Sequence, residues 1–180
     1  QLVNSLDLFI ELKVPQTPGK HPCVVYIHGF GEPIRISPFS LIGPYIDRFL
    51  NAGIAIASID YRLSPPTQWP ACGDDAKGAI RYLKANADRL GFDKDRFAVF
   101  GGSMGGHLST MIAACNGDRL TEGSIGGNTE QDSSVKVGGA FFPFTDFFGF
   151  GDDCASVWPL QPDKVARCDG PDAPLGNMIG

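Results

Sequence analysis

Residues 97–109 read FAVFGGSMGGHLS: a short apolar run, two glycines, a serine, then an apolar spacing of another kind. Phe97 to Phe100 is nearly continuous in apolar residues, as expected of a strand buried on both faces. Leu108, Ile112 and Cys115 recur in steps of 4 and 3, which is one face of a helix opening near Ser103. The residues joining the two, Gly101-Gly102-Ser103-Met104-Gly105, match G-x-S-x-G. A serine in that setting sits on a sharp, strained turn that holds its hydroxyl clear of the sheet. Small residues at Gly101 and Gly105 let strand and helix approach without a Cβ between them. The backbone N–H of Met104, at the start of the helix, then points to where an oxyanion would form. A plain glycine-rich turn with Ser103 as a helix N-cap is the other reading of the same residues.

The rhythm extends in both directions. Upstream, Leu6 to Val14 reads as a strand closed by Pro15, and Cys23 to Ile27 and Ile54 to Ile59 as buried strands, the last ending at Asp60. Leu41 to Leu50 reads as a helix stopped at Gly53. Ala76, Ile80, Leu83, Ala87 and Leu90 form one helical face, with Asp74 or Asp75 placed to cap its start and Gly91 its end. Downstream come a polar loop from Asn116 to Ser134, a strand from Val135 to Phe142, and an irregular cap or loop over 147–180. Alternating strands and helices predict an α/β fold, a mostly parallel sheet with helices on both faces. Ligands in such sheets bind at the C-terminal ends of the strands. The 180 residues suit one domain with a core of its own.

His28-Gly29-Phe30-Gly31 lies at such an end, directly after Cys23 to Ile27. Glycines there let backbone N–H groups turn toward a bound carbonyl oxygen. The third glycine of G-x-G-x-x-G is missing and no G-x-x-x-x-G-K-[ST] occurs, so a nucleotide-phosphate loop fits poorly. Two such motifs at two strand ends point to acyl transfer.

At this point the chain resembles the α/β-hydrolase superfamily, in the branch shared by hormone-sensitive-lipase-like enzymes and the bacterial feruloyl/acetyl esterase-like group. The matching stretches are VVYIHGFG (24–31), IDYRLSP (59–65), the run from Trp69 to Ser109, and the segment from Glu130 to Val135 followed by FFPFTDFF. The resemblance implies an ester hydrolase with Ser103 as nucleophile and an oxyanion hole made by the N–H groups of Met104 and of Gly29 or Phe30. It implies no metal and no cofactor. Two features depart from the family. Phe30 stands where a glycine is usual, and the strands that carry the family's acid and histidine are not in this chain.

The histidines sharpen the second departure. His21 precedes a strand at the end opposite the crevice, His28 belongs to the oxyanion turn, and His107 lies one helical turn beyond Ser103 and leads away. None is placed to activate Ser103, and a serine without a base is a weak nucleophile. Asp146, after the last strand, reads as a loop-capping carboxylate or as the triad acid. An uncovered apolar edge at Val135 to Phe142 is also unusual in a native sheet. Both features lead to the expectation of a second polypeptide that supplies the remaining strands, the acid and the histidine, as in a nicked or two-chain esterase.

Composition narrows the rest. A net charge of −5 with no cluster of Lys or Arg argues against nucleic acid and anionic membranes, and no apolar stretch is long enough to span a bilayer. The five cysteines form no CxxC pair. Cys115 reads as a buried thiol, and Cys154 with Cys168 as either a local disulfide or two free thiols. The first residue, Gln1, and that pair point toward a secreted or periplasmic protein rather than a cytoplasmic one. The expected activity is a serine carboxylesterase on small acyl esters, acetyl or feruloyl in type. A formamidase or peptidase of the same fold, and an inactive hydrolase fold serving as a binding module, are the alternatives.

Overall fold

The structure, a computed structural model, describes residues 8–29, 42–63 and 67–146. Their elements run in chain order β1 (Ile10–Lys13), β2 (His21–Ile27), α1 (Gly43–Asn51), β3 (Ala55–Ile59), α2 (Ala71–Ala85), α3 (Ala87–Leu90), β4 (Phe92–Gly102), α4 (Met104–Cys115), α5 (Arg119–Glu122) and β5 (Val137–Phe141). The strands form one sheet in the order β1-β3-β2-β4-β5. Only β1 runs antiparallel to its neighbour; the other pairings are parallel, as the alternation of elements requires. β2 lies between β3 and β4, so the ends of all three strands meet at its carboxyl end.

Alternation along the central strands separates two apolar layers. Cys23, Val25 and Ile27 of β2 face one layer, where Ala76, Ile80 and Leu83 of α2 and Leu108 and Ile112 of α4 cover them. Tyr26 and Ile56 face the other, against Ile46 and Phe49 of α1. Helices therefore cover both faces. Among the described residues β5 is an edge strand, with Val137 and Phe141 exposed.

Several expectations shift. α2 begins at Ala71, directly after Pro70, three residues before the aspartates expected to cap it. Asp75 instead accepts hydrogen bonds from the backbone N–H, Nε and Nη2 of Arg62, an ionic partner that a helix N-terminus does not offer. The single helix expected up to Gly91 divides at Asn86, although Ala76, Ile80, Leu83 and Ala87 do share the buried face and Gly91 does close it in the left-handed region. β4 starts five residues early, because Phe92 pairs with His21 and is fully buried behind a polar stretch that hides it in sequence. Cys115 is only partly buried: it falls in the last turn of α4, beyond the core. Cys23 and Cys72 are the buried thiols, and burial pushes them up to about 12 and about 11, which keeps them protonated. Cys154, Cys168 and the segment 147–180 lie outside the described residues, as do Phe30 and Gly31.

The loop from Asn116 to Ser134 is more ordered than its polarity suggests. Three cations on one side of α2 hold it. Lys77 donates to Thr121 O, and fully buried Arg81 donates to Glu122 Oε1 and to the carbonyls of Glu122, Ile125 and Gly127. Lys84 bonds Asp132 Oδ1 at 2.7 Å and Ser134 Oγ at 3.0 Å. Lys84 and Ser134 hold the Asp132 carboxyl down to about 2 from its ordinary 3.8. A carboxylate lowered on folding stabilises above its unfolded value and loses that contribution as the pH falls through the folded one. Unfolding followed between pH 4 and pH 2 is therefore expected to show a shallower acid loss of stability in Asp132→Asn than in wild type. Equal slopes in the two proteins would remove Asp132 from the account.

Candidate active site

At the end of β4 the chain must turn sharply into α4, and the backbone records how. Ser103 has φ 55° and ψ −123°, a conformation L residues other than glycine rarely adopt. Its side chain makes no capping bond to the helix, so the N-cap reading does not describe it. Three constraints hold the strain. Ser103 N donates to Phe141 O at 2.9 Å, Ser103 O accepts from His107 N at 3.0 Å, and glycines flank the turn. A Cβ on Gly101 would lie 2.6 Å from the Gly105 carbonyl, and one on Gly105 would run into the backbone oxygens of Ile27 and His28. The helix can begin this close to β2 only because both positions lack a side chain.

The same closeness brings the two motifs together. A Cβ built on Gly29 would stand 3.3 Å from Ser103 Cβ and 3.9 Å from Ser103 Oγ. Ser103 is half-buried, and Met104 opens α4 directly after it. Gly29, Ser103 and the amino end of α4 thus form one cluster where β2 and β4 end. The helix end adds a partial positive charge beside the hydroxyl.

The turn at His28 is held from below. His28 Nδ1 lies 2.8 Å from Gly29 O, a carbonyl that only accepts, so Nδ1 carries the proton. Tyr61, fully buried, stacks on the His28 ring with centroids 4.6 Å apart and donates its hydroxyl to His28 O at 2.8 Å. Asp60, buried at the end of β3, has Oδ1 3.9 Å from His28 Nε2. Burial raises the Asp60 carboxyl, partly offset by the Phe9 N–H it accepts. IDYRLSP was legible as a familiar stretch, but no spacing signalled that Asp60 and Tyr61 would back the turn.

The other candidate residues have bonds or settings of their own. His21 spends its ring nitrogens on Gly53 O and Thr17 O at the opposite end of β2. His107 donates from Nδ1 to Phe144 O at 2.8 Å, and burial lowers its pKa. Asp146 is exposed in the coil after β5. A cavity of about 1230 Å³ opens between β1 and α2, but Ser103, Gly29 and Met104 do not line it. Among the described residues no group of His, Cys, Asp and Glu could hold a metal ion, and no helix is long and apolar enough to cross a membrane.

The BD-FAE family model matches residues 6–164, almost the whole chain. The chain belongs to the BD-FAE family. Esterase LipC of Mycobacterium tuberculosis is 30% identical to this BD-FAE chain over 138 residues, 76% of the chain and 34% of LipC. Carboxylesterase NlhH of the same organism is 38% identical over 93 residues, 51% of the chain and 28% of NlhH. Among solved structures, a truncated carbohydrate esterase from gut microbiota matches with a TM-score of 0.60 at 29% identity, covering 71% of this chain and 49% of that one. The esterase Est2 of Thermogutta terrifontis matches with a TM-score of 0.68 at 24% identity, covering 83% and 53%, which speaks to the fold alone. The fold is that of the α/β-hydrolase esterases, and this BD-FAE chain spans about a third to a half of these relatives. In LipC the matched part and the remainder belong to one protein, so the expected second polypeptide finds no support.

Proposed function

We propose that the protein is a serine carboxylesterase acting on small acyl esters, acetyl or feruloyl in type, carried on carbohydrate. One observation carries the reading: a strained Ser103 with no capping bond stands beside the Gly29 backbone at the amino end of α4. Strain of this kind persists where function uses it. The carbohydrate part draws support from the similarity to the gut-microbiota enzyme.

In this reading Ser103 Oγ attacks the ester carbonyl carbon, and the carbonyl oxygen becomes an oxyanion. The N–H of Met104 and that of Gly29 receive it, with Phe30, outside the described residues, as a further donor. The base that takes the Ser103 proton passes it to the departing alcohol, leaving an acyl-serine that water then hydrolyses. In this reading the base is supplied from outside the described residues, since His21 and His107 Nδ1 are bonded to carbonyls elsewhere and His28 Nδ1 to its own turn.

The test is a substrate panel on the full-length protein: p-nitrophenyl acetate, methyl ferulate and acetylated xylo-oligosaccharide against formyl and peptide amides. Turnover of the esters with the amides inert is expected. Preference for formyl or peptide amides would replace the reading with a formamidase or peptidase.

A further inference from the structure

The His28 turn contains an unresolved proton. Nδ1 must donate to Gly29 O, so in the neutral ring Nε2 is a bare acceptor. It is buried and, among the described residues, has no hydrogen-bond partner; Asp60 Oδ1 lies 3.9 Å from it. An ionised Asp60 would also be an acceptor. Two acceptors facing each other in a dry site each lose hydration and gain nothing. One proton between them removes the conflict, either as imidazolium with carboxylate or as carboxylic acid with imidazole. Asp60 Oδ2 is taken by the Phe9 N–H at 3.3 Å, and the Tyr61 hydroxyl is spent on His28 O. Among the described residues, Phe9 and His28 are the groups that act on the Asp60 carboxyl.

We propose that His28 Nε2 and Asp60 Oδ1 share one proton, and that this pair, with Tyr61 bonded to His28 O, positions the Gly29 backbone beside Ser103. Asp60 and Tyr61 are then positioning residues of the reaction proposed above, on which the inference rests. The ring is fixed on three sides: by its own bond to Gly29 O, by the Tyr61 face, and by the shared proton. Gly29 follows His28 directly, so a tilt of the ring swings the Gly29 peptide that faces Ser103.

The test uses the full-length protein with Asp60→Asn, Asp60→Leu and Tyr61→Phe, alongside Ser103→Ala. Imidazole 15N spectra, with His28 assigned from His28→Gln, report the proton directly. In wild type, Nε2 is expected to resonate as a protonated or hydrogen-bonded nitrogen. Asp60→Leu and Tyr61→Phe lower kcat by about 10- to 100-fold with KM nearly unchanged, because a displaced oxyanion donor acts on the transition state. Asparagine can offer its oxygen to Phe9 and its amide N–H to His28. Asp60→Asn therefore keeps kcat within about threefold of wild type. A bare-acceptor signal for Nε2 in wild type overturns the proposal. So does wild-type kcat in Tyr61→Phe or, should Asp60→Leu fail to fold, a loss of kcat in Asp60→Asn of more than about tenfold. Retained turnover in Ser103→Ala defeats the esterase reading instead, and the 15N signal then still accepts or rejects the shared proton.

Discussion

Ser103→Ala in the full-length protein is expected to lower ester hydrolysis by roughly 10⁴- to 10⁶-fold, the range for loss of a serine nucleophile that works as a unit with its base. The fold should survive. Alanine keeps the Cβ that the strained turn already accommodates at φ 55°, and Ser103 Oγ makes no capping bond to lose. Residual activity should come from oxyanion donors and binding alone. A fluorophosphonate probe tests the same point without a substrate. It should label wild type at Ser103 and leave the variant unmarked, since only an activated hydroxyl reacts. Comparable turnover in the two proteins, or a label on another residue, would end the case for Ser103.

Gly105→Ala is expected to have the largest structural effect, more than about 4 kcal/mol of stability, at the severe end of single substitutions. The added Cβ would meet the backbone oxygens of Ile27 and His28, not the flexible end of a side chain. Backbone at the centre of a sheet cannot step aside without breaking β2 from its partners, and Ile27 is paired on both sides. The helix would have to lift off the strand, taking Ser103 away from Gly29. Denaturant unfolding or recovery of soluble protein measures this directly. A Gly105→Ala protein with near-wild-type stability would show that α4 sits farther from β2 than described.

The contrast between those two positions bears on what could be read in advance. The strands at the centre were legible because both faces are largely buried, so Cys23 to Ile27 is apolar throughout and Ile54 to Ile59 is broken only by Ser58. The helix face of α2 was legible by its spacing. Two ends were not. Phe92 lies behind the charged run Asp93 to Arg96, and the start of α2 was sought at an aspartate that Arg62 had claimed. Nothing in their spacing marks Lys77, Arg81 and Lys84 as buried; they are so because carbonyls and side chains of a distant loop meet them.

Local chemistry in the chain was sufficient for the order of elements, the glycines that a close crossing needs, and the presence of a serine turn and of a histidine-glycine turn, each at a strand end. Each depends on residues within a few positions of one another. Tertiary structure alone decided that the hydroxyl of Ser103 faces Gly29, that Asp60 and Tyr61 stand behind His28, and that Cys115 lies outside the core. Those relations join residues about 30 to 75 positions apart, or depend on where a helix ends against a sheet. No periodicity along the chain encodes them, because they arise only when β2, β3 and β4 are laid side by side.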